Sequence, residues 1–141
     1  MDKILLDTDV ILDFFFDRKP FSNDAAKILS WCEMKEIQGF ATPVIISNCY
    51  YLLRKVSTHN IVIQKLKQLI LIIDIIIMDR EVVVNALNSG FRDFEDALQN
   101  FSAIKSKKID MIITRNSKDY KNSIIGVFTP DNFIKTKISN N

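Results

Sequence analysis

Short apolar runs alternate with amphipathic stretches along the whole chain, and this pattern predicts strands and helices in turn. Strands of this kind are usually buried in a parallel sheet, because both faces of the sheet are covered by helices. The predicted strands are Lys3–Leu6, Phe40–Thr42, Ile75–Met78, Ile109–Ile113 and Ile125–Phe128. The expected fold class is therefore a three-layer α/β/α fold with a central parallel sheet flanked by helices.

Apolar residues at helical spacing predict the helices between these strands. The predicted helices are Val10–Asp17, Ser22–Glu36, Pro43–Val56, Ile61–Ile73, Arg80–Asn88, one that starts at Asp93, and a short one after Pro130. Ser22 is expected to cap the second helix, and Ile61, Leu66, Leu69, Ile70 and Ile73 to form the apolar stripe of the fourth. We expect one domain over residues 1–134 and a polar tail over residues 135–141.

The composition is that of an ordinary globular protein, since 48% of the 141 residues are hydrophobic and 26% are charged. The apolar segment Ile61–Met78 is interrupted by charged and amide side chains, so we expect no membrane span. Cys32 and Cys49 lack the spacing of a metal or redox motif and are expected to be reduced core residues. These features, with no signal peptide expected, predict a cytoplasmic protein.

His59 is the single histidine, which argues against a zinc site or a Ser/His catalytic triad. The net charge of +2 does not by itself identify a nucleic-acid-binding protein. Basic residues nevertheless concentrate in one late stretch, at Lys105, Lys107, Lys108, Arg115, Lys118 and Lys121. Such a stretch suits a polyanionic substrate, although a solvated helix end also accounts for it.

Acidic and amide side chains recur where predicted strands end or a helix begins. Asp7 and Asp9 follow the first strand, Asp96 lies in the first turn of a helix, and Asn116 and Asp119 follow the fourth strand. The carboxyl ends of parallel strands share one edge of a sheet, where ligands bind. Gathered carboxylates repel one another unless a cation lies among them, and oxygen ligands favour Mg²⁺ or Mn²⁺.

Several of these residues could also serve a purely structural role. Asp9 could cap a helix that begins at Val10, and Asp93 could cap the helix that carries Asp96. Asn116 and Asp119 could be ordinary turn residues. The shared position at one edge favours the metal site over these separate structural roles.

Three segments resemble the signature blocks of PIN domains, and the likeness is greatest to small bacterial PIN proteins of the VapC toxin type. The segments are Leu5–Asp13, Asp93–Gln99 and Ile112–Tyr120, in the order the family has them. The resemblance extends to about Phe133. It implies a metal-dependent ribonuclease fold, with a parallel sheet flanked by helices.

The resemblance also implies residue roles. Asp7 would be the first metal ligand, Asp96 the principal second acid, and Asn116 with Asp119 the remaining metal-binding pair. Asp7, Asp96 and Asp119 would be the catalytic acids, and Asp93 would be peripheral. Asp9, Asn48 and Asp93 are further candidates for direct or indirect contact with the metal.

One position departs from the family pattern. The helix after the second strand usually presents a glutamate to the metal, and Asn48 occupies the matching position. An amide offers an oxygen without a charge, so we expect a lower metal affinity. An inactive PIN domain that binds RNA or a protein partner is therefore an alternative function.

A second enzyme class shares part of the pattern. Asp7-Thr8-Asp9 after a strand also resembles the nucleophile block of haloacid-dehalogenase-type phosphatases, and Ile112–Thr114 resembles their second block. Those enzymes need a lysine and a further acidic pair downstream, whereas only Asp119 and Asp131 follow here.

The favoured function is a Mg²⁺- or Mn²⁺-dependent endoribonuclease, as the toxin of a toxin–antitoxin pair. Arg115 and Lys118 are expected to contact RNA phosphates, which adds affinity without sequence choice. The expected partners are an RNA substrate and a cognate antitoxin, while the RNA target, the antitoxin's identity and homodimer formation are left open.

Overall fold

The computed structural model describes residues 1–140, which form one five-stranded parallel sheet with helices packed around it. The strands are β1 (Lys3–Leu6), β2 (Gln38–Ala41), β3 (Ile73–Ile75), β4 (Met111–Ile113) and β5 (Gly126–Phe128), in the order β3-β2-β1-β4-β5. The helices are α1 (Thr8–Phe15), α2 (Ser22–Glu33), α3 (Pro43–Arg54), α4 (His59–Ile72), α5 (Arg80–Leu87), α6 (Phe94–Ser106) and α7 (Pro130–Ser139), with a 3₁₀ helix at Ser117–Tyr120. The predicted α/β/α fold class is confirmed.

The centre of the sheet brings the ends of β1 and β4 together. Leu6 lies opposite Ile113, and the backbone N–H of Asp7 donates to the carbonyl of Ile113 at 3.0 Å. Leu5 and Ile112 are fully buried, which is the reason these strands are apolar on both faces. Polar residues that follow β1 and β4 therefore meet at one edge, as the sequence pattern predicts.

Helix α1 begins earlier than predicted, because Asp7 rather than Asp9 is its cap. The Asp7 carboxylate accepts a hydrogen bond from the backbone N–H of Thr8, and Asp9 lies within the first turn. The prediction that Asp93 caps α6 is confirmed, since its carboxylate accepts from the Asp96 N–H at 3.0 Å. The hydrogen bond from Thr8 fixes the Asp7 carboxylate at the start of α1.

Strand β3 lies earlier than the predicted Ile75–Met78. Helix α4 ends at Ile72 and Ile73 is already extended, so one continuous isoleucine-rich run contains both the helix end and the strand. No Gly or Pro marks the change, and apolar periodicity cannot locate it. The predicted stripe of α4 is also partly wrong, since Ile61 and Ile70 are half exposed and Ile73 belongs to β3, whereas Val62 is buried.

Two helix ends also differ from expectation. The cap position of α2 is Phe21, without a side-chain hydrogen bond, and Ser22 is buried in the first turn instead of capping it. Helix α7 extends to Ser139, so residues 135–139 are helical rather than a tail, and its Phe133 packs edge-on against Trp31. Within residues 1–140, no helix combines the length and the apolar character that a membrane crossing requires.

The fold divides the basic stretch between opposite ends of the sheet. Lys107 and Lys108 precede β4 and so lie near its amino end, and Lys105 forms ion pairs with Asp79 and Glu81. Only the part of the stretch after β4 lies near the acidic edge. The six basic residues therefore do not form a single binding surface.

Candidate active site at the carboxyl edge of the sheet

Asp7 is a buried acid directly after β1 at this edge. One carboxylate oxygen accepts from the Thr8 N–H at 2.9 Å, and the other accepts from the Tyr120 hydroxyl at 3.1 Å. Burial raises the pKa of Asp7, because water no longer stabilises its charge, although these hydrogen bonds partly oppose the shift. Asp7 is therefore oriented by two donors and poorly solvated.

Asp96 lies beside Asp7 on the first turn of α6. Burial, followed by the charges of Asp7 and Asp93, raises the pKa of Asp96 to about 7, and Asp119 contributes in the same direction. The Tyr120 hydroxyl lies within reach of both Asp7 and Asp96. The predicted acids therefore do share one small region, in which they repel one another.

Buried amides of α6 hold this helix in place on both sides. The Thr42 hydroxyl, which also caps α3, donates to the side-chain oxygen of Gln99 at 2.5 Å. On the other side, the Ser123 hydroxyl donates to the side-chain oxygen of Asn100 at 2.5 Å. Gln99 lies about one turn after Asp96, so these hydrogen bonds hold the part of α6 that carries Asp96.

Asp9 holds the loop that follows β4. One of its oxygens accepts from the Arg115 N–H at 3.1 Å and from the side-chain amide of Asn116 at 3.4 Å. Its other oxygen is buried without a partner among the described residues. Burial, then the charge of Asp7, raises the pKa of Asp9 to about 6. Asp9 therefore positions Asn116 and has one oxygen available to a further ligand.

Arg115, for which a phosphate contact was predicted, makes structural contacts with Asp13 and Phe21. Its guanidinium donates twice to Asp13, at 2.7 and 3.1 Å, and the Asp13 side chain is only 1% exposed. The same guanidinium lies over the ring of Phe21, 4.1 Å from its centroid. A buried carboxylate requires such a partner, so the contacts of Arg115 are directed inward.

Asn48 lies on α3, as the resemblance implies, but its amide contacts a carboxylate of α6. The side-chain nitrogen of Asn48 donates to Glu95 at 2.8 Å. Glu95 immediately precedes Asp96, so a negative charge is present next to the position where the family has its glutamate. The sequence analysis did not identify Glu95.

Lys118 and Asp119 lie on the 3₁₀ helix, and both are exposed. Lys118, Arg92 and Lys121 line one cleft beside Asp119, and none of the three forms an ion pair with another residue of 1–140. We call these three residues the basic cleft. Over the same residues, no three Asp, Glu, His or Cys side chains are already grouped as a metal site.

Sequence reasoning missed Tyr120, Asp13 and Glu95. Asp13 had a usable signal, since it is a lone acid within the apolar run Val10–Phe16. Tyr120 and Glu95 had none, because an aromatic residue after a turn and an acid in a first helical turn are ordinary on their own. Their roles depend on contacts between distant segments.

The parallel sheet, with acids at the carboxyl ends of its central strands, places the chain among α/β domains that bind their ligands at that edge of the sheet. The family model of the PIN domain matches residues 3–118, and the chain belongs to the PIN domain family. This confirms the resemblance and leaves no support for a haloacid-dehalogenase-type phosphatase. PIN domains are generally nucleases and generally use divalent metal ions. No curated protein sequence matches the chain significantly.

Solved structures with the same fold include proteins from toxin–antitoxin complexes. A toxin–antitoxin complex from Klebsiella pneumoniae contains a chain with 22% identity and a TM-score of 0.67, covering 90% of this chain and 97% of that one. VapBC-1 from nontypeable Haemophilus influenzae shows 10% identity and a TM-score of 0.67, with 92% and 98% covered. VapBC2 from Rickettsia felis, bound to a DNA fragment from its promoter, shows 14% identity and a TM-score of 0.63, covering 89% of this chain and 96% of that one. At these identities the likeness concerns the fold.

Proposed function

We propose that this chain is a metal-dependent endoribonuclease and the toxin of a toxin–antitoxin pair. The observation that carries the proposal is the convergence of Asp7 and Asp96 around the Tyr120 hydroxyl at the carboxyl edge of a PIN fold. A structural role does not require two acids whose pKa values are raised by burial and repulsion. Perturbed acids in a cleft are typical of catalytic sites.

The donor set fits a hard divalent cation. Asp7, Asp96 and Asp119 would hold it, with the side-chain oxygen of Asn116, because the amide nitrogen of Asn116 already faces Asp9. One carboxylate oxygen of Asp9 is buried and accepts no hydrogen bond from the described residues, so it is a further candidate ligand. A cation between Asp7 and Asp96 would offset the repulsion that raises the pKa of Asp96.

A bound Mg²⁺ or Mn²⁺ would supply an activated water and charge neutralisation for phosphodiester hydrolysis. The residues of the chain orient and position the reacting groups. Tyr120 fixes the Asp7 carboxylate, and Gln99 fixes α6 and with it Asp96. Lys118, with Arg92 and Lys121, would attract the RNA backbone, since phosphate contacts supply most of the affinity without sequence choice.

The test is an RNA cleavage assay on the full chain with Mn²⁺, with Mg²⁺ and with chelator. We expect cleavage by the wild type that stops with chelator and in Asp96→Asn. Asp74→Asn is the matched control, because Asp74 is an exposed acid on the edge strand β3, and it should cleave normally. Cleavage that continues in Asp96→Asn would contradict the assignment.

The toxin role rests on the toxin–antitoxin complexes among the structures that share this fold. We therefore propose a cognate antitoxin as partner and an RNA in the cytoplasm as substrate. A small neighbouring reading frame, co-expressed with the chain, should copurify with it and suppress cleavage. A neighbouring product that neither binds nor inhibits would contradict the antitoxin role.

Asn48 favours a second candidate, an inactive PIN domain that binds RNA without cutting it. The lost carboxylate lowers the charge available to a cation, although Glu95 lies 2.8 Å from the Asn48 amide. If the wild type binds RNA under every metal tested but never cleaves it, this second function is the better description.

A further inference from the structure

Phe21 presents an aromatic surface close to the acidic site. Its side chain is 40% exposed, and its ring stacks on the Arg115 guanidinium at 4.1 Å. Arg115 is itself fixed by two hydrogen bonds to the buried Asp13. The ring is therefore supported from below by a rigid contact, which lowers the entropy cost of stacking another flat group on it.

A groove of about 400 Å³ lies beside this ring, and its size is that of a small-ligand site. We call it the Phe21 groove; it is lined by Phe21, Pro20, Pro130, Asn116, Asp24 and Asp131, among others. Asn116 connects the groove to the acidic site, because its amide donates to Asp9. Asn116 therefore belongs both to the groove and to the proposed metal site.

The loop after β4 separates two surfaces of opposite character. Arg115 and Asn116 face the Phe21 groove, whereas Lys118 and Asp119 face the basic cleft. The cations at the Phe21 groove are paired, since the Arg115 guanidinium binds Asp13 and Lys135 forms an exposed ion pair with Asp131 at 3.7 Å. The Asp24 carboxylate has no such partner among the described residues and repels phosphates, whereas the basic cleft attracts them.

We propose that the Phe21 groove binds one unstacked base of a single-stranded RNA, adjacent to the phosphate that is cut, while the flanking phosphates lie in the basic cleft. The proposal rests on the proposed ribonuclease function. An aromatic ring suits any base, because every base has a π-face, whereas the Asp24 carboxylate repels the backbone. Phe21 is therefore a substrate-binding residue that acts through stacking.

The experiment measures binding of a fluorescein-labelled single-stranded RNA hexamer to the full chain by anisotropy, with chelator present so that no cleavage occurs. Phe21→Leu keeps apolar cover over Arg115 but removes the π-face. We expect its Kd to rise about tenfold, with an unchanged slope of log K against log salt, since stacking releases no counterions. Lys118→Ala should instead make that slope shallower.

Two further variants make the test specific. Phe14→Leu is the matched control, because Phe14 is 42% exposed on α1 and faces a different groove, and its Kd should equal that of the wild type. Phe21→Trp restores an aromatic surface and should bind within about twofold of the wild type. Its emission should be quenched by the hexamer, whereas the buried Trp31 of the wild type should respond little.

The outcomes separate this proposal from the proposed function. If the wild type cuts RNA but Phe21→Leu binds as tightly as the wild type, or Phe21→Trp shows no quenching, the base site is overturned and the nuclease stands. If Phe21→Leu weakens binding and the wild type never cuts, the base site stands on an RNA-binding domain. A wild type that neither binds nor cuts RNA overturns both.

Discussion

The side-chain amide of Asn48 on α3 donates a hydrogen bond to the carboxylate of Glu95 on α6, at 2.8 Å. The resemblance places Asn48 where a glutamate usually faces the metal, and Glu95 precedes the proposed ligand Asp96. The contact neutralises no charge, but it holds the Glu95 carboxylate beside Asn48. The negative charge that α3 lacks at position 48 is thus present on α6 at Glu95.

Asn48→Glu should lower the melting temperature of the metal-free protein and increase its stabilisation by Mn²⁺. The new carboxylate would face Glu95 at hydrogen-bond distance, and like charges repel unless a cation lies between them. Thermal melts with chelator and with Mn²⁺ measure both effects. Asn48→Gln is the control, because it keeps the amide. A variant that Mn²⁺ stabilises no more than the wild type would argue that α3 does not face the metal.

Tyr120→Phe should weaken Mn²⁺ binding about tenfold, because groups that orient metal ligands typically matter to this degree. The lost hydroxyl donates to Asp7 at 3.1 Å in a buried place, so the free energy of unfolding should also fall by about 1–3 kcal/mol. Calorimetric titration and denaturant unfolding measure the two effects. Tyr51→Phe should change neither, since Tyr51 is exposed on α3. Unchanged Mn²⁺ affinity in Tyr120→Phe would remove this positioning role.

The location of Asp7 at the carboxyl edge of the sheet was predictable from the sequence, because an acid directly after a buried apolar strand is costly unless a ligand site needs it. The parallel sheet and the Asp93 cap were predictable from apolar periodicity and helix-start signals. Strand β3 was not, since α4 passes into it within an unbroken apolar run. Asp96 could be placed only by assuming where α6 points.

Contacts between distant segments account for the remaining differences. Arg115 follows a strand near the acidic site, and its sequence position suits a phosphate contact. The buried Asp13, 102 residues earlier, accepts two hydrogen bonds from it, a contact that the local sequence pattern does not reveal. Tyr120 and Asp7 are 113 residues apart and meet only because β1 and β4 are neighbours. Sequence patterns reflect local order, whereas these roles depend on topology.

The metal-free protein should lose stability as the pH rises from about 4 to about 7. The pKa of Asp96 is raised from 3.8 to about 7 and that of Asp9 to about 6, so the folded state binds protons more tightly than the unfolded state. Their contribution is fully present below the unfolded pKa and is lost as the pH rises through the folded values. Melting temperatures with chelator between pH 4.5 and 8 should fall, and Asp96→Asn should flatten the curve. A wild-type curve as flat as that of Asp96→Asn would contradict the raised pKa of Asp96, which burial and then the charges of Asp7 and Asp93 cause.

Arg115→Ala should lower the free energy of unfolding by about 3–5 kcal/mol, because it leaves the Asp13 carboxylate buried and without its main partner. Only Arg18, at 3.5 Å, would remain next to that charge. Lys118→Ala is the matched control, since Lys118 is an exposed cation of the same loop, and it should change stability by less than about 0.5 kcal/mol. Denaturant unfolding measures both variants, and the double variant Asp13→Leu/Arg115→Leu should recover part of the loss, because no unpaired charge then remains. If Arg115→Ala is as stable as the wild type but its RNA affinity depends less on salt, Arg115 contacts phosphate after all, and the ion pair with Asp13 is dispensable.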